Sequence, residues 1–464
     1  MADLESTAWN ALTDALMEFD GRPVGVRASR DQRLPTLNYD QCFVRDFALC
    51  APAFLLRDRS DVVREFLLST LRLQSRKRGL GALQPRIGLM PGSFRPVRKN
   101  GDWVLEGDYG EESIARVTPA DSVFWWILTL RAYVLMTGDE ELAARDDVQH
   151  GLRLILGLVL EGSFEMFPTL LVPDGSFMID RRMGVYGHPL EVQALFFAAL
   201  RAARELLAGD DDWRDQVQHR LQNLRHHVGR YYWLDHDNLR ELAQVGSDEY
   251  GEDASNVFNV FPESIPSWVE EWIPDDAGYF AGNVGPGRID FRFFTQGNLL
   301  TLAAGLADDD KSTRLMQLME ARWDDLVGTA PLRIVFPALT GESWKVITGA
   351  DAKNEPWRYH NGGSWPCLLW SFATATSGCD RLDLLERAVS AVEARLEDDA
   401  WPEYYDGRTD PKPGKRARCR QSWTMGSYLY AKACLRDPSV GKLYSWPDEI
   451  RPEEAVSARV SAGD

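Results

Sequence analysis

The chain is short of everything that metal, nucleotide or redox chemistry would need. Its 464 residues hold six cysteines and seven histidines. No cysteine of Cys42, Cys50, Cys367, Cys379, Cys419 and Cys434 stands in a CxxC pair, and no HxxxH or HExxH sets two histidines on one helix face. No metal site with ligand spacing, and no cofactor, is therefore expected. There is no GxGxxG after a strand and no GxxxxGKS/T loop, so nothing signals a bound nucleotide, and no GxSxG elbow signals a serine nucleophile. No apolar run reaches the ~20 residues of a membrane helix. The opening MADLESTAW has neither a basic stretch nor an apolar run and does not read as a secretory signal. With thiols read as reduced core residues, these absences give the expectation of a cytoplasmic protein without a membrane partner. Positive charge is also scarce. Lys plus Arg number 52 against 70 Asp plus Glu, a formal net charge of −18. Such a field repels nucleic acid and anionic membrane and leaves a neutral or cationic ligand.

What the chain does have is tryptophan, helical periodicity and carboxylates. Sixteen tryptophans are many. Trp103, Trp268, Trp272, Trp344, Trp357 and Trp401 stand in loop-like contexts. Each alone reads as core filling, but as a group they suggest walls for a flat ligand such as a sugar. Twelve helical segments fall into six pairs. The first of each pair is amphipathic, starting near residues 5, 60, 147, 211, 311 and 383; the second is more apolar, starting near 41, 120, 189, 291, 362 and 419. Ser60 reads as the cap of the second amphipathic helix. Half-exposed helices alternating with buried ones predict an all-α fold, an (α/α)6 barrel of two concentric rings. It would take residues 1–450 as one domain, with 451–464 a frayed tail. Residues 79–112 and 230–290 read as irregular.

The chemistry-bearing motifs share one position in this scheme. NYDQCFVRD, TPAD, IDRRMGVYGHP, GRIDFRFF, RYHNGGSW and KPGKRARCRQSW all lie just before or at the start of a helix of the inner set. Their polar groups would meet at the N-terminal end of that ring, where loops on a rigid scaffold carry function. The densest is Ser176 to Gln193, with two glycines to bend it. The carboxylates there are Asp40 and Asp46 beside Arg45, then Asp121, Asp180 before Arg181 and Arg182, and Glu403. Each has an ordinary structural reading. Asp40 and Asp121 could cap helices, Arg45 and Asp46 could face solvent, Asp180 could pair with Arg182, and Glu403 could be a loop acid. Taken together at one end of a barrel, they suit a polyhydroxy ligand and glycosidic cleavage, which needs two carboxyl groups. A phosphorylase, with the basic loop 412–420 as its phosphate site, and a non-catalytic sugar binder remain alternatives at this level.

SFMIDRRMGVYGHPLEVQALF, NYDQCFVRDF, ADSVFWWILTLRAY, IDFRFFTQGNL, RYHNGGSWPCLLW and WPEYYDG resemble the neutral/alkaline invertases of glycoside hydrolase family 100, over roughly residues 30–435. The resemblance implies an (α/α)6 barrel, a cytosolic enzyme without metal, often oligomeric, that hydrolyses the α-1,2 bond of sucrose with inversion. The alternative is a related barrel acting on another glucoside such as trehalose. On this resemblance Asp180 is the general acid and Glu403 the general base. Tyr39, Asp40, Arg45 and Asp46 fall in the glucose-binding motif. Asp121, Trp125, His188, Gln193, His360, Asn361 and Trp365 fall in cleft-lining motifs, and Arg416, Arg418 and Arg420 are placed toward the fructose side. One difficulty stands out. A general acid needs a raised pKa, yet two arginines follow Asp180, so they must turn elsewhere or be outweighed.

Overall fold

The computed structural model describes residues 4–76, 85–114, 116–161, 167–209, 211–243, 262–285 and 288–446. The expected tail beyond 450 lies outside them. Among the described residues, twelve helices have nine residues or more, and they match the twelve expected segments one for one. They are α1 (Leu4–Asp14), α2 (Val44–Leu55), α3 (Ser60–Leu73), α4 (Ser122–Thr137), α5 (Asp146–Val159), α6 (Leu190–Leu206), α7 (Asp211–Tyr231), α8 (Thr295–Ala303), α9 (Asp309–Ala321), α10 (Leu369–Gly378), α11 (Leu382–Glu393) and α12 (Ser422–Arg436).

The even-numbered helices close on themselves. α2 packs on α4, α4 on α6, α6 on α8, α8 on α10, α10 on α12, and α12 back on α2. Their sequences account for this. Every residue of α8 is buried, and so is every residue of α2 except Arg45. Ser122 through Tyr133 of α4 are buried on all sides. A helix apolar all round must be covered all round. Most odd-numbered helices bury a single stripe, such as Leu384, Leu385, Ala388, Val389 and Val392 of α11, and lie outside; α3 is the exception, with nine of its 14 residues buried. α1 packs on α12, so the two ends of the chain meet at the seam of the ring. One apolar core runs from Ala8 to Trp446.

Three expectations need correction. The chain is not all-α, because four small sheets interrupt the helices among the described residues. One hairpin, Ser93–Lys99 with Asp102–Asp108, lies inside a stretch read as irregular, and a second, Tyr279–Gly285 with Arg288–Phe294, begins in the other and runs past its end. The first turns on Asn100-Gly101, both at positive φ, a strong hairpin signal in the sequence; Pro96 and the charges on both faces blur the strand alternation around it. Residues 291–294, read as helix, are the end of a strand. Ser60 is not a cap: Arg59 occupies that position and makes no side-chain cap bond.

Candidate active site

Three of the six inner helices, α2, α4 and α12, set residues at their N-termini around one pocket, and the stretch leading into α6 adds Asp180. The Ser176–Gln193 stretch is its centre. Gly184 and Gly187 take φ of +70° and +116°, which only glycine adopts freely. The Asp174 carboxylate fastens the bend by accepting from the amides of Met183 and Gly184 at 3.2 and 2.9 Å. Glu191, in the first turn of α6, accepts from the Met178 amide at 3.3 Å. Between these two ties sits Asp180.

Its Oδ1 accepts two hydrogen bonds, from His360 Nε2 at 2.9 Å and from the Tyr359 hydroxyl at 3.0 Å. Oδ2 has no protein partner among the described residues, and a third of the side chain is open to the pocket. Burial pushes the Asp180 carboxyl up. The hydrogen bond and charge of His360, with Arg45 and Lys353, outweigh it and bring it to about 2. Burial in turn pushes His360 down, against the pull of Asp180, and its Nδ1 is buried without a partner among the described residues. The two arginines that follow Asp180 are not among the main causes. Arg181 turns away to form a two-point pair with Asp351, and Arg182 reaches toward Gly349.

The second carboxylate comes from the other side. RYHNGGSW and WPEYYDG run side by side, with Ser364 and Tyr405 exchanging amide–carbonyl bonds of 2.9 and 2.7 Å. Asp406 accepts from the Tyr359 amide at 3.1 Å, which holds that tyrosine at φ +45°. Glu403 is thereby set facing the same pocket as Asp180. Its Oε1 accepts from the Tyr39 hydroxyl at 2.9 Å and its Oε2 from the Arg418 amide at 3.3 Å. Burial raises the Glu403 carboxyl above its ordinary value, against the pull of Lys353 and Tyr39.

The pocket wall is completed by the first turn of α2 and the start of α4. Arg45 donates to Asp121 at 2.9 Å, and Trp125 Nε1 donates to the same Asp121 oxygen at 3.3 Å. Asp121 therefore does not cap α4. Asp46 lines the pocket, is 6% exposed, and has no hydrogen bond or ion pair to protein among the described residues. Burial raises it to about 8, as it does Glu191.

The structure thus gathers Tyr39, Arg45, Asp46, Asp121, Asp180 and Glu403 around one pocket, and His360 joins through Asp180. Trp365 stands behind, stacked on His360 at 4.7 Å and 2°. Trp125 is core, edge-on to Trp370. Gln193 and Asn361 are spent on backbone. Gln193 clasps Leu170 through its amide and carbonyl at 2.8 and 2.9 Å, and Asn361 clasps Leu339 at 2.6 and 2.9 Å. His188 bonds Thr169 at 2.9 Å. Asp40 stands outside the pocket wall, 3.7 Å from Arg95, and Arg420 pairs with Asp14 at the surface. The loop 412–420 does not converge on the pocket as a phosphate site would: Lys412 pairs with Asp410, and Arg418 lies over the Tyr39 ring. None of the six loop tryptophans lines the pocket; Trp423 does. Trp272 stacks on Phe336 in the core, and Trp103 is 63% exposed.

Sequence reasoning passed over Tyr359, Lys353 and Glu191. Tyr359 was inside a motif already singled out. Glu191 had a signal, an acid between Leu190 and Val192 at the head of a buried helix. Lys353, in a polar turn, had none. Among the described residues no group of three or more His, Cys, Asp or Glu is arranged to hold a metal ion, and no helix is long and apolar enough to cross a membrane.

Among solved structures, the fold resembles one titled a wild-type glycosidase (TM-score 0.56, 12% identity, 93% of this chain and 96% of that one) and a GH63 mannosylglycerate hydrolase from Thermus thermophilus (TM-score 0.55, 14% identity, 92% and 99%). In sequence the chain is 46% identical over 460 residues to alkaline/neutral invertase C, mitochondrial, of Arabidopsis thaliana, covering 97% of this chain and 69% of that one. It is 47% identical over 438 residues to cytosolic invertase 1 of Oryza sativa subsp. japonica, covering 93% and 78%. The two invertase relatives define a glycoside hydrolase. More closely, residues 8–438 match the alkaline and neutral invertases, and the chain belongs to that family.

Proposed function

We propose that this enzyme is a cytoplasmic invertase that cleaves the α-1,2 bond of sucrose between glucosyl C1 and the bridging oxygen, with inversion, in an (α/α)6 barrel. The closed ring of inner helices supports the barrel. The cytosolic names of some relatives support the location. One observation carries the chemistry. Two carboxyl groups on different motifs face one pocket, and on Asp180 the oxygen toward the pocket is left free.

In this reading Arg45 and Asp46 hold the glucosyl ring. Asp180 protonates the glycosidic oxygen from Oδ2 while Tyr359 and His360 hold Oδ1. Glu403 takes a proton from the attacking water. The electrostatics of the empty pocket oppose this order, because Asp180 is held down and Glu403 is held up. Sugar binding must reverse it, by expelling water from around Asp180. That opposition favours a second reading, with Glu403 as acid and Asp180 as base.

Leaving-group chemistry separates the two. A variant lacking the general acid keeps activity on a glucosyl donor whose leaving group needs no proton. A variant lacking the base is rescued by azide, with a glucosyl azide as product. We expect Asp180→Asn to lose sucrose hydrolysis by about 10²-fold or more yet cleave the activated donor, and Glu403→Gln to respond to azide. The opposite pattern would overturn the assignment. Loss of neither activity would overturn the site.

A further inference from the structure

Each carboxylate of the pair is held by a tyrosine, and each of those tyrosines carries a cation on its ring. Tyr359 donates to Asp180, and Lys353 Nζ lies 3.7 Å from the centre of the Tyr359 ring. Tyr39 donates to Glu403, and the Arg418 guanidinium carbon lies 4.6 Å from the centre of the Tyr39 ring. Neither cation makes an ion pair with a carboxylate among the described residues. Arg418 bonds the Pro35 carbonyl, and its Nη1 is buried without a partner. Lys353 is placed by its turn: Asp351 accepts from the Lys353 amide at 3.0 Å and is itself clamped by Arg181. The arginine after Asp180 thus reaches the catalytic pair by way of the Lys353 turn.

We propose that Lys353 and Arg418 are positioning residues that act on the catalytic carboxyl groups through the phenols of Tyr359 and Tyr39. A cation over a ring face draws on the ring's electrons and is attracted to it. The hydroxyl becomes a stronger donor, and a stronger donor favours the charged form of the carboxylate it serves. A direct ion pair would have the same sign but would occupy an oxygen that the substrate or the water needs. With the ring interposed, one oxygen of Asp180 stays free. Other charges also face the pair. Asp180 sees His360 and Arg45, Glu403 sees Asp180, and Lys353 sees Asp180, Glu403, Asp351 and Arg181. The relay is therefore defined by coupling between cation and phenol, not by charge alone.

This inference rests on the catalytic pair proposed above, and its test keeps the two apart. The readout is the pH profile of kcat/KM for sucrose in the full-length enzyme, with melting temperature as the control for folding. Removing a donor raises the carboxyl it served. We expect Tyr359→Phe and Lys353→Met each to move the Asp180 limb upward by about 0.5–1 pH unit, with Lys353→Met also raising the Glu403 limb through the direct pull it removes. Lys353→Arg should restore the limb. The double variant should move it no further than the larger single shift. Tyr39→Phe and Arg418→Met should behave alike on the other limb. Limbs that stay in place while activity or melting temperature falls would overturn the relay and leave a structural role, as would additive shifts in the double variants. If Asp180 is the acid, the Tyr359 pair moves the alkaline limb. If the Tyr359 pair moves the acidic limb, non-additively, the relay stands and the acid–base assignment falls.

Discussion

Asp46 shows how much a single carboxyl can bind to this fold's pH response. It is buried, has no hydrogen-bond or ion-pair partner among the described residues, and is raised to about 8 from an ordinary 3.8. A carboxyl raised in the folded state keeps its proton there while the unfolded chain has lost it. Stability then falls as pH climbs from about 4 to about 8, and it levels off above. Asp46→Asn removes that titration. The melting temperature of this variant, relative to wild type, is expected to rise from about pH 5 to about pH 8. A difference that does not change with pH would show that Asp46 is already ionised in the fold. Glu191, raised in the same way, adds to the same slope. Tyr359 is the other side chain on which much depends. It sits at positive φ, where a bulky residue is strained, and the amide bond to Asp406 keeps it there with its hydroxyl on Asp180.

At the scale of elements, the ring depends on close approach at its seam. Gly426 of α12 faces the Cys50 backbone of α2, and a Cβ built there would stand 2.7 Å from Cys50 Cα. Gly426→Val should push the two helices apart and destabilise the protein by about 2–3 kcal/mol. An unchanged denaturation midpoint would mean that the seam is looser than it looks. The helices were legible in the sequence because their apolar patterns differ. ADSVFWWILTLRAY, buried on every side, could hardly be anything but an inner helix, and LDLLERAVSAVE, striped, could hardly be anything but an outer one. The strands were less legible: apart from the Asn100-Gly101 turn, runs such as Arg288–Phe294, buried at five of seven residues, carry no clean alternation. Of the site, the carboxyl pair, Arg45, Asp46, Asp121 and His360 could be placed because they stand at the heads of inner helices or in motifs beside them. Gln193, Asn361 and Trp125 lie in equally distinctive motifs, yet they hold backbone or core. Sequence position cannot separate a residue that lines a pocket from one that braces its wall. Lys353 meets the ring of Tyr359 six residues on, through a loop conformation that the residue pattern does not record.

For the whole molecule, the arrangement separates scaffold from chemistry. The outer helices support from outside, the inner helices form a closed wall, and the segments at the N-terminal ends of the inner helices supply the acids, tyrosines and cations. Family membership fixes the class of reaction, and the pocket supplies two carboxyl groups in different settings. Inversion is the central claim about how they work together. It is tested most directly by following fresh glucose from sucrose by NMR before the anomers equilibrate, with the bond cut checked in ¹⁸O-water. The account predicts β-glucose carrying the label at C1. Fresh α-glucose would contradict it by showing retention, and label in fructose would show that the bond breaks on the other side of the bridging oxygen.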